Sequence, residues 1–100
     1  MGYVIYDNNK NVVGKLFFDA NECIFREENF SGVKDELIFE LQSVGISKYK
    51  KLESGCVLCL VGKYKVNVDL ENLLLSLEGA YGEELKVYHI QKGYPVQGSR

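Results

Sequence analysis

The residues of this chain best suited to chemistry are three cysteines, one histidine and two adjacent carboxylate pairs. Cys56 and Cys59 form a Cys-x-x-Cys spacing within GCVLCLVGKYKVNVD, Gly55 to Asp69. Zinc clips use that spacing on a knuckle turn with a second ligand pair, and redox dithiols use it at a helix start, where the dipole lowers the thiol pKa. Here valine and leucine separate the two cysteines and β-rich residues flank them. Cysteines three apart on a strand point to opposite faces, because strand side chains alternate. They cannot share an ion, and only Cys23 and His89 remain as further soft ligands. The expectation is therefore structural thiols, with Cys59 a small core hydrophobe and Cys56 nearer the surface. A Cys23–Cys56 disulfide or an intermolecular pair would arise only under oxidising conditions. No metal and no cofactor are expected.

Nucleophilic catalysis needs a nucleophile, a base and a group that orients the base. His89 with Cys56 or Cys23 and Glu84 is the combination the chain offers, and no local motif joins them. His89 instead reads as a semi-buried strand residue. Glu27-Glu28 and Glu83-Glu84 read as solvated pairs, and Gly62-Lys63 lacks the rest of a phosphate loop. No catalytic residue is assigned, and a non-enzymatic protein is expected.

Binding offers two readings. Lys48-Tyr49-Lys50-Lys51 and Lys63-Tyr64-Lys65 interleave cations that meet phosphates with rings that stack on bases. A nucleic-acid surface would then comprise Lys48, Tyr49, Lys50, Lys51, Lys63 and Lys65. The formal net charge of −2 argues against it. The leading reading is a protein-binding surface made of Phe39, Cys56, Leu58, Leu60, Lys65, Tyr88 and Ile90, an apolar patch rimmed by lysine. The partner would be another protein or a second copy, a homodimer joined through an open sheet face or edge, with no membrane involved.

The elements that must position these residues follow from periodicity. Tyr3–Tyr6, Val12–Phe18 and Glu22–Arg26 are β-branched and aromatic runs separated by the turn formers Asp7–Asn11 and Asp19–Asn21, which predicts a three-stranded meander. Val33, Leu37, Leu41 and Val44 then fall on one helical stripe, giving a helix from Gly32 to Val44 with Ser31 as N-cap and Gly45 as the stop. Phe39 lies off that stripe. Ile46–Lys51 reads as a short strand or arm. Gly62-Lys63, set between Cys56–Val61 and Tyr64–Val68, predicts a type II′ hairpin with Val61 facing Tyr64, Cys59 facing Val66 and Val57 facing Val68. Asp69 then caps a second expected helix with Leu70, Leu73, Leu74 and Leu77 on its apolar face, and Leu85–Gln91 forms the last strand. The fold expected is α+β, of order βββα(β)ββαβ, a mainly antiparallel sheet with two helices packed on one face.

Composition sets the outer limits. The chain has 100 residues, of which 46% are hydrophobic and 26% charged, the balance of a globular protein rather than a disordered one. One compact domain over 1–97 with a polar tail at 98–100 is expected. No apolar run reaches a membrane-spanning length, the first ten residues lack a signal-peptide pattern, and Tyr6 disfavours myristoylation of Gly2. With three cysteines in no regular framework, a cytoplasmic setting is expected, that of a host cell included.

Overall fold

Strand alternation, not helical periodicity, governs most of the chain. The computed structural model describes residues 2–29 and 32–93. β1 (Gly2–Tyr6), β2 (Val12–Asp19) and β3 (Glu22–Glu27) form the expected meander. A connection carrying α1 (Glu36–Val44) leads to β4 (Ile46–Lys51), and β5 (Cys56–Val61), β6 (Tyr64–Asp69), β7 (Leu74–Glu78) and β8 (Glu84–Lys92) follow, each antiparallel to its neighbour. β8 then returns to β1, from Tyr3↔Lys92 to Tyr6↔His89. The strands close into an eight-stranded barrel in sequence order.

This corrects the expected α+β sheet in two ways. The sheet is closed, so it has no open face for helices to cover and no free end strand. The second helix is also absent, and its residues form a turn followed by β7. Asp69 caps a turn in place of the expected helix, accepting from the N–H groups of Glu71 and Asn72 at 3.0 Å each. Leu73, however, takes a left-handed φ of 57° and turns the chain back after one cycle. Leu75 and Leu77 then alternate inward and are fully buried. A leucine-rich run fits both periods, and here the barrel decides, because β7 supplies backbone partners to β6 and β8 on either side.

The interior is filled by side chains, as expected for eight strands. Ile5, Leu16, Cys23, Cys59, Val61, Val66, Val68, Leu75, Leu77 and Tyr88 have no solvent-accessible surface. Atoms with no accessible area line no water-sized cavity, so the core around these residues holds no ligand chamber. One mouth is closed by rings: Phe18 meets Tyr3 and Tyr49 edge-on, with centroids 6.0 and 4.9 Å away.

The other mouth is closed by α1, which inserts Ile38 and Leu41 into the core. The helix is shorter than expected: Asp35 is its N-cap, Val33 lies outside it, and Ser31 lies outside the described residues. Its close seat on β2 needs Gly14, where a Cβ would stand 2.7 Å from Ile38 Cγ2 and 2.8 Å from the Arg26 carbonyl oxygen. No helix among the described residues is long and apolar enough to cross a membrane.

Candidate functional site

The β5–β6 hairpin has the expected register throughout, from Val57↔Val68 to Val61↔Tyr64. Gly62 takes φ 60° while Lys63 stays out of the left-handed region, as a type II′ turn requires. Val57, Cys59, Val61, Tyr64, Val66 and Val68 therefore point into the barrel, and Cys56, Leu58, Leu60, Lys65 and Asn67 point outward. On β4, Ser47 and Tyr49 turn inward while Ile46, Lys48 and Lys50 turn outward.

The outward set forms one surface. Leu58 stands between Lys50 on β4 and Asn67 on β6, and Leu60 has Lys65 beside it. The β4–β5 ladder ends at Tyr49↔Cys59, and on its other edge β4 pairs with β3 over Ile46–Lys48. Ile46 and Leu60 both lie beyond the Tyr49↔Cys59 end of the β4–β5 ladder. Val44, at the end of α1, lies beside the β5–β6 turn: a Cβ on Gly62 would lie 3.2 Å from its Cγ2. Leu60 is 66% exposed, Ile46 61% and Val44 45%. Scattered apolar residues are normal on a surface, whereas contiguous ones mark interaction sites.

The sequence-derived partner set divides. Cys56, Leu58, Leu60 and Lys65 share this outer face. Phe39 belongs to another surface: it lies on the solvent side of α1, with Lys34 Nζ 4.2 Å from its ring centroid. Tyr88 and Ile90 are not on any surface, because their side of β8 is the barrel interior and both are buried. β8 alternates, with Tyr88 and Ile90 turned inward and His89 outward, which corrects their expected place on a partner surface. Lys86 shares the inward side because it stands at the mouth, where its Nζ reaches the Asp35 carboxylate at 2.7 Å. Val44 and Ile46 were missed; they flank Gly45, which sequence marks only as a helix stop.

For the nucleic-acid alternative, Lys48, Lys50, Lys51, Lys63 and Lys65 are all exposed. The rings that would stack on bases are engaged elsewhere. Tyr49 packs on Phe18 and donates its hydroxyl to the Ala20 carbonyl oxygen. Tyr64 is buried and donates to Glu40 Oε1 at 2.8 Å, a bond to a carboxylate that, with burial, raises its pKa.

The strongest polar cluster holds the helix. The buried Asp35 Oδ1 accepts from the N–H groups of Leu37 and Ile38 and from the Tyr88 hydroxyl at 2.7 Å. Burial alone would raise its pKa; the bonds from Lys86, Tyr88 and the Ile38 N–H outweigh burial and hold it below the ordinary carboxylate value. Tyr88, buried and donating to that carboxylate, is pushed well upward. Asp7, in the β1–β2 turn, is also lowered: burial opposes, but the Asn9 and Asn11 N–H groups and the Asn11 side chain all donate to it. Every group of this cluster is used in anchoring structure.

All three cysteines are free thiols. The structure brings Cys23 together with Cys59 rather than with Cys56. Both are fully buried, and the neighbouring Cys59 thiol, with burial, pushes the Cys23 pKa far above its usual value. His89 is exposed, not semi-buried, and lines an open groove of about 570 Å³ beside Tyr6 and Leu73. Cys56, Asp69, Leu74 and His89 lie in one cross-strand row. Three strand spacings separate the thiol from the imidazole by about 14 Å, and five residues of strand set Glu84 roughly 17 Å from His89. No group of three or more potential metal ligands occurs among the described residues. Comparison of the chain with protein-family models, curated proteins and solved structures found no match.

Proposed function

We propose that this protein is a non-enzymatic interaction domain that binds a partner protein on the outer face of β4 and β5, at the end of α1. The observation that carries this reading is that Val44, Ile46 and Leu60 are each well exposed, Val44 beside the β5–β6 turn at Gly62 and Ile46 and Leu60 beyond the end of the β4–β5 ladder. The packed interior supports it, since a barrel with no chamber around its core has its outer surface to offer. Cys56, Leu58 and Lys65 extend the same face. Self-association would use this face, because the closed ring removes edge-to-edge strand pairing.

The test is selection of random peptides displayed on phage against the immobilised protein. Enriched peptides are expected to lose at least tenfold in affinity against Leu60→Asp or Ile46→Asp and to retain affinity against Tyr81→Ser, a change at an exposed ring in the β7–β8 loop. Peptides indifferent to the first two substitutions, or an absence of enrichment, would sink the reading. Sedimentation equilibrium of the wild type and Leu60→Asp checks the self-associating form: a dimer that persists in the variant excludes this face as its interface.

A further inference from the structure

We infer that the occupant of the β4–β5 face is an acidic amphipathic protein segment, apolar along its centre and carboxylate-bearing along its borders; this rests on the interaction reading above. The argument is charge complementarity placed by register. Leu58 and Leu60 form an apolar column on β5. Lys50 stands across from Leu58 on the β4 side and Lys65 across from Leu60 on the β6 side. Lys48 precedes Lys50 on the same outward side of β4, Lys63 occupies the hairpin turn above, and Lys51 ends β4 below. Between Ile46 and Val68 the chain carries five lysines and one acidic residue, Glu53, although the whole protein is net negative.

These cations are only partly engaged: Glu78 stands across from Lys65 on β7, and Lys63 Nζ lies 5.5 Å from the Tyr64 ring centroid. Among the described residues, the ion pairs are Lys15–Glu28, Lys86–Asp35 and Lys48–Glu22, and only the last touches this face, at 3.9 Å between exposed groups. Lys50, Lys51, Lys63 and Lys65 therefore have no carboxylate within ion-pair distance among the described residues. Lysine stems lie along apolar surface while their ammonium groups reach outward. An occupant that covers Leu58, Leu60 and Ile46 thus meets ammonium groups along both sides. Carboxylates there gain attraction and a faster encounter, whereas basic side chains would be repelled. A duplex or single strand of nucleic acid would satisfy the lysines but leave the aliphatic column against phosphate and sugar, with Tyr49 and Tyr64 turned inward.

The experiment titrates the 15N-labelled protein with five probes. They are a 16-residue peptide alternating leucine and glutamate faces, its lysine-for-glutamate and glutamine-for-glutamate counterparts, phosphatidylglycerol vesicles, and an oligothymidylate. The acidic peptide is expected to shift the amides of Ile46, Leu58 and Leu60, to bind at least tenfold more tightly than the basic one, and to weaken at least tenfold in Lys48→Glu/Lys50→Glu/Lys65→Glu. A control change at Lys10→Glu leaves its affinity within twofold. If the glutamine peptide binds this face as tightly as the acidic one, the acidic inference falls while the interaction reading stands. If vesicles or oligonucleotide bind the face more tightly than any peptide, or no probe shifts these amides, the inference is overturned. The phage selection then decides separately whether the interaction reading falls with it.

Discussion

Asp35 is the joint between helix and barrel, and replacing it should reveal how firmly the mouth is closed. Three losses accompany Asp35→Ala. The N-cap bonds to Leu37 and Ile38 vanish, costing about 1 kcal/mol. The Tyr88 hydroxyl, in a fully buried side chain, loses its acceptor, costing roughly 1–3 kcal/mol. Lys86, with 37% of its side chain exposed, turns to water and contributes about 1 kcal/mol at most. The total expected is about 2–4 kcal/mol, allowing for non-additivity among coupled groups. Asp35→Asn keeps a capping oxygen and an acceptor for Tyr88, so its cost should be about 1 kcal/mol. In a Tyr88→Phe background Asp35→Ala should cost less, because no hydroxyl is left stranded. Urea unfolding followed by far-UV circular dichroism suits the measurement, since the chain has no tryptophan. Equal costs for Asp35→Asn and Asp35→Ala, or a coupling with Tyr88 below about 0.5 kcal/mol, would refute the reasoning.

The same carboxylate gives a pH prediction. Its folded pKa is depressed, so its contribution is complete above the unfolded value near 3.9 and is lost as pH falls through the lower folded value. The difference in stability between wild type and Asp35→Asn should shrink below about pH 4, leaving an acid limb owed to Asp7 and Asp69, which are lowered too. Gly14→Ala should destabilise by about 1–3 kcal/mol, because the methyl group meets Ile38 and the Arg26 carbonyl; slower amide exchange in α1 of that variant would contradict it. Leu73→Gly should raise stability by up to about 1 kcal/mol by relieving a left-handed leucine, and a loss on urea unfolding would show that its side chain packs more than it strains. A disulfide-exchange reagent at neutral pH should label Cys56 in the native protein and reach Cys23 and Cys59 only on unfolding; three fast thiols would contradict their burial.

Much of the local structure was legible in the sequence, for identifiable reasons. Asp7 and Asn11 mark the first turn because their side chains bond to each other and to the local backbone. Gly62 sets the hairpin register, and with it the outward placement of Cys56, Leu58, Leu60 and Lys65. Closure was not legible, because it depends on β8 meeting β1, and no residue of either strand carries a signal for the other. The assignment of Tyr88 and Ile90 to an outer surface followed from that omission: in an open sheet with helices on one face, the side bearing Lys86 reads as solvent. The leucines of 70–77 were ambiguous by periodicity, and only the neighbouring strands resolve them. Val44 falls on the apolar stripe of the helix and so reads as core, yet it and Ile46 are exposed, which depends on how α1 and β4 seat on the ring.

Ring closure also has a kinetic consequence. Seven of the eight seams join strands adjacent in sequence, whereas the eighth joins Tyr3 to Lys92. The entropy cost of closing a loop rises with its length, so the seven local seams can assemble before the last one. A chain halted at that stage is a curled ribbon with two bare borders, Gly2–Tyr6 and Glu84–Lys92, each presenting unpaired backbone and the apolar side chains of Ile5 or Ile90. Those borders match one another equally well within a molecule and between molecules. At high concentration during refolding, the final seam is where one chain would capture another, so yield should fall with concentration even though the finished ring has no strand left to offer.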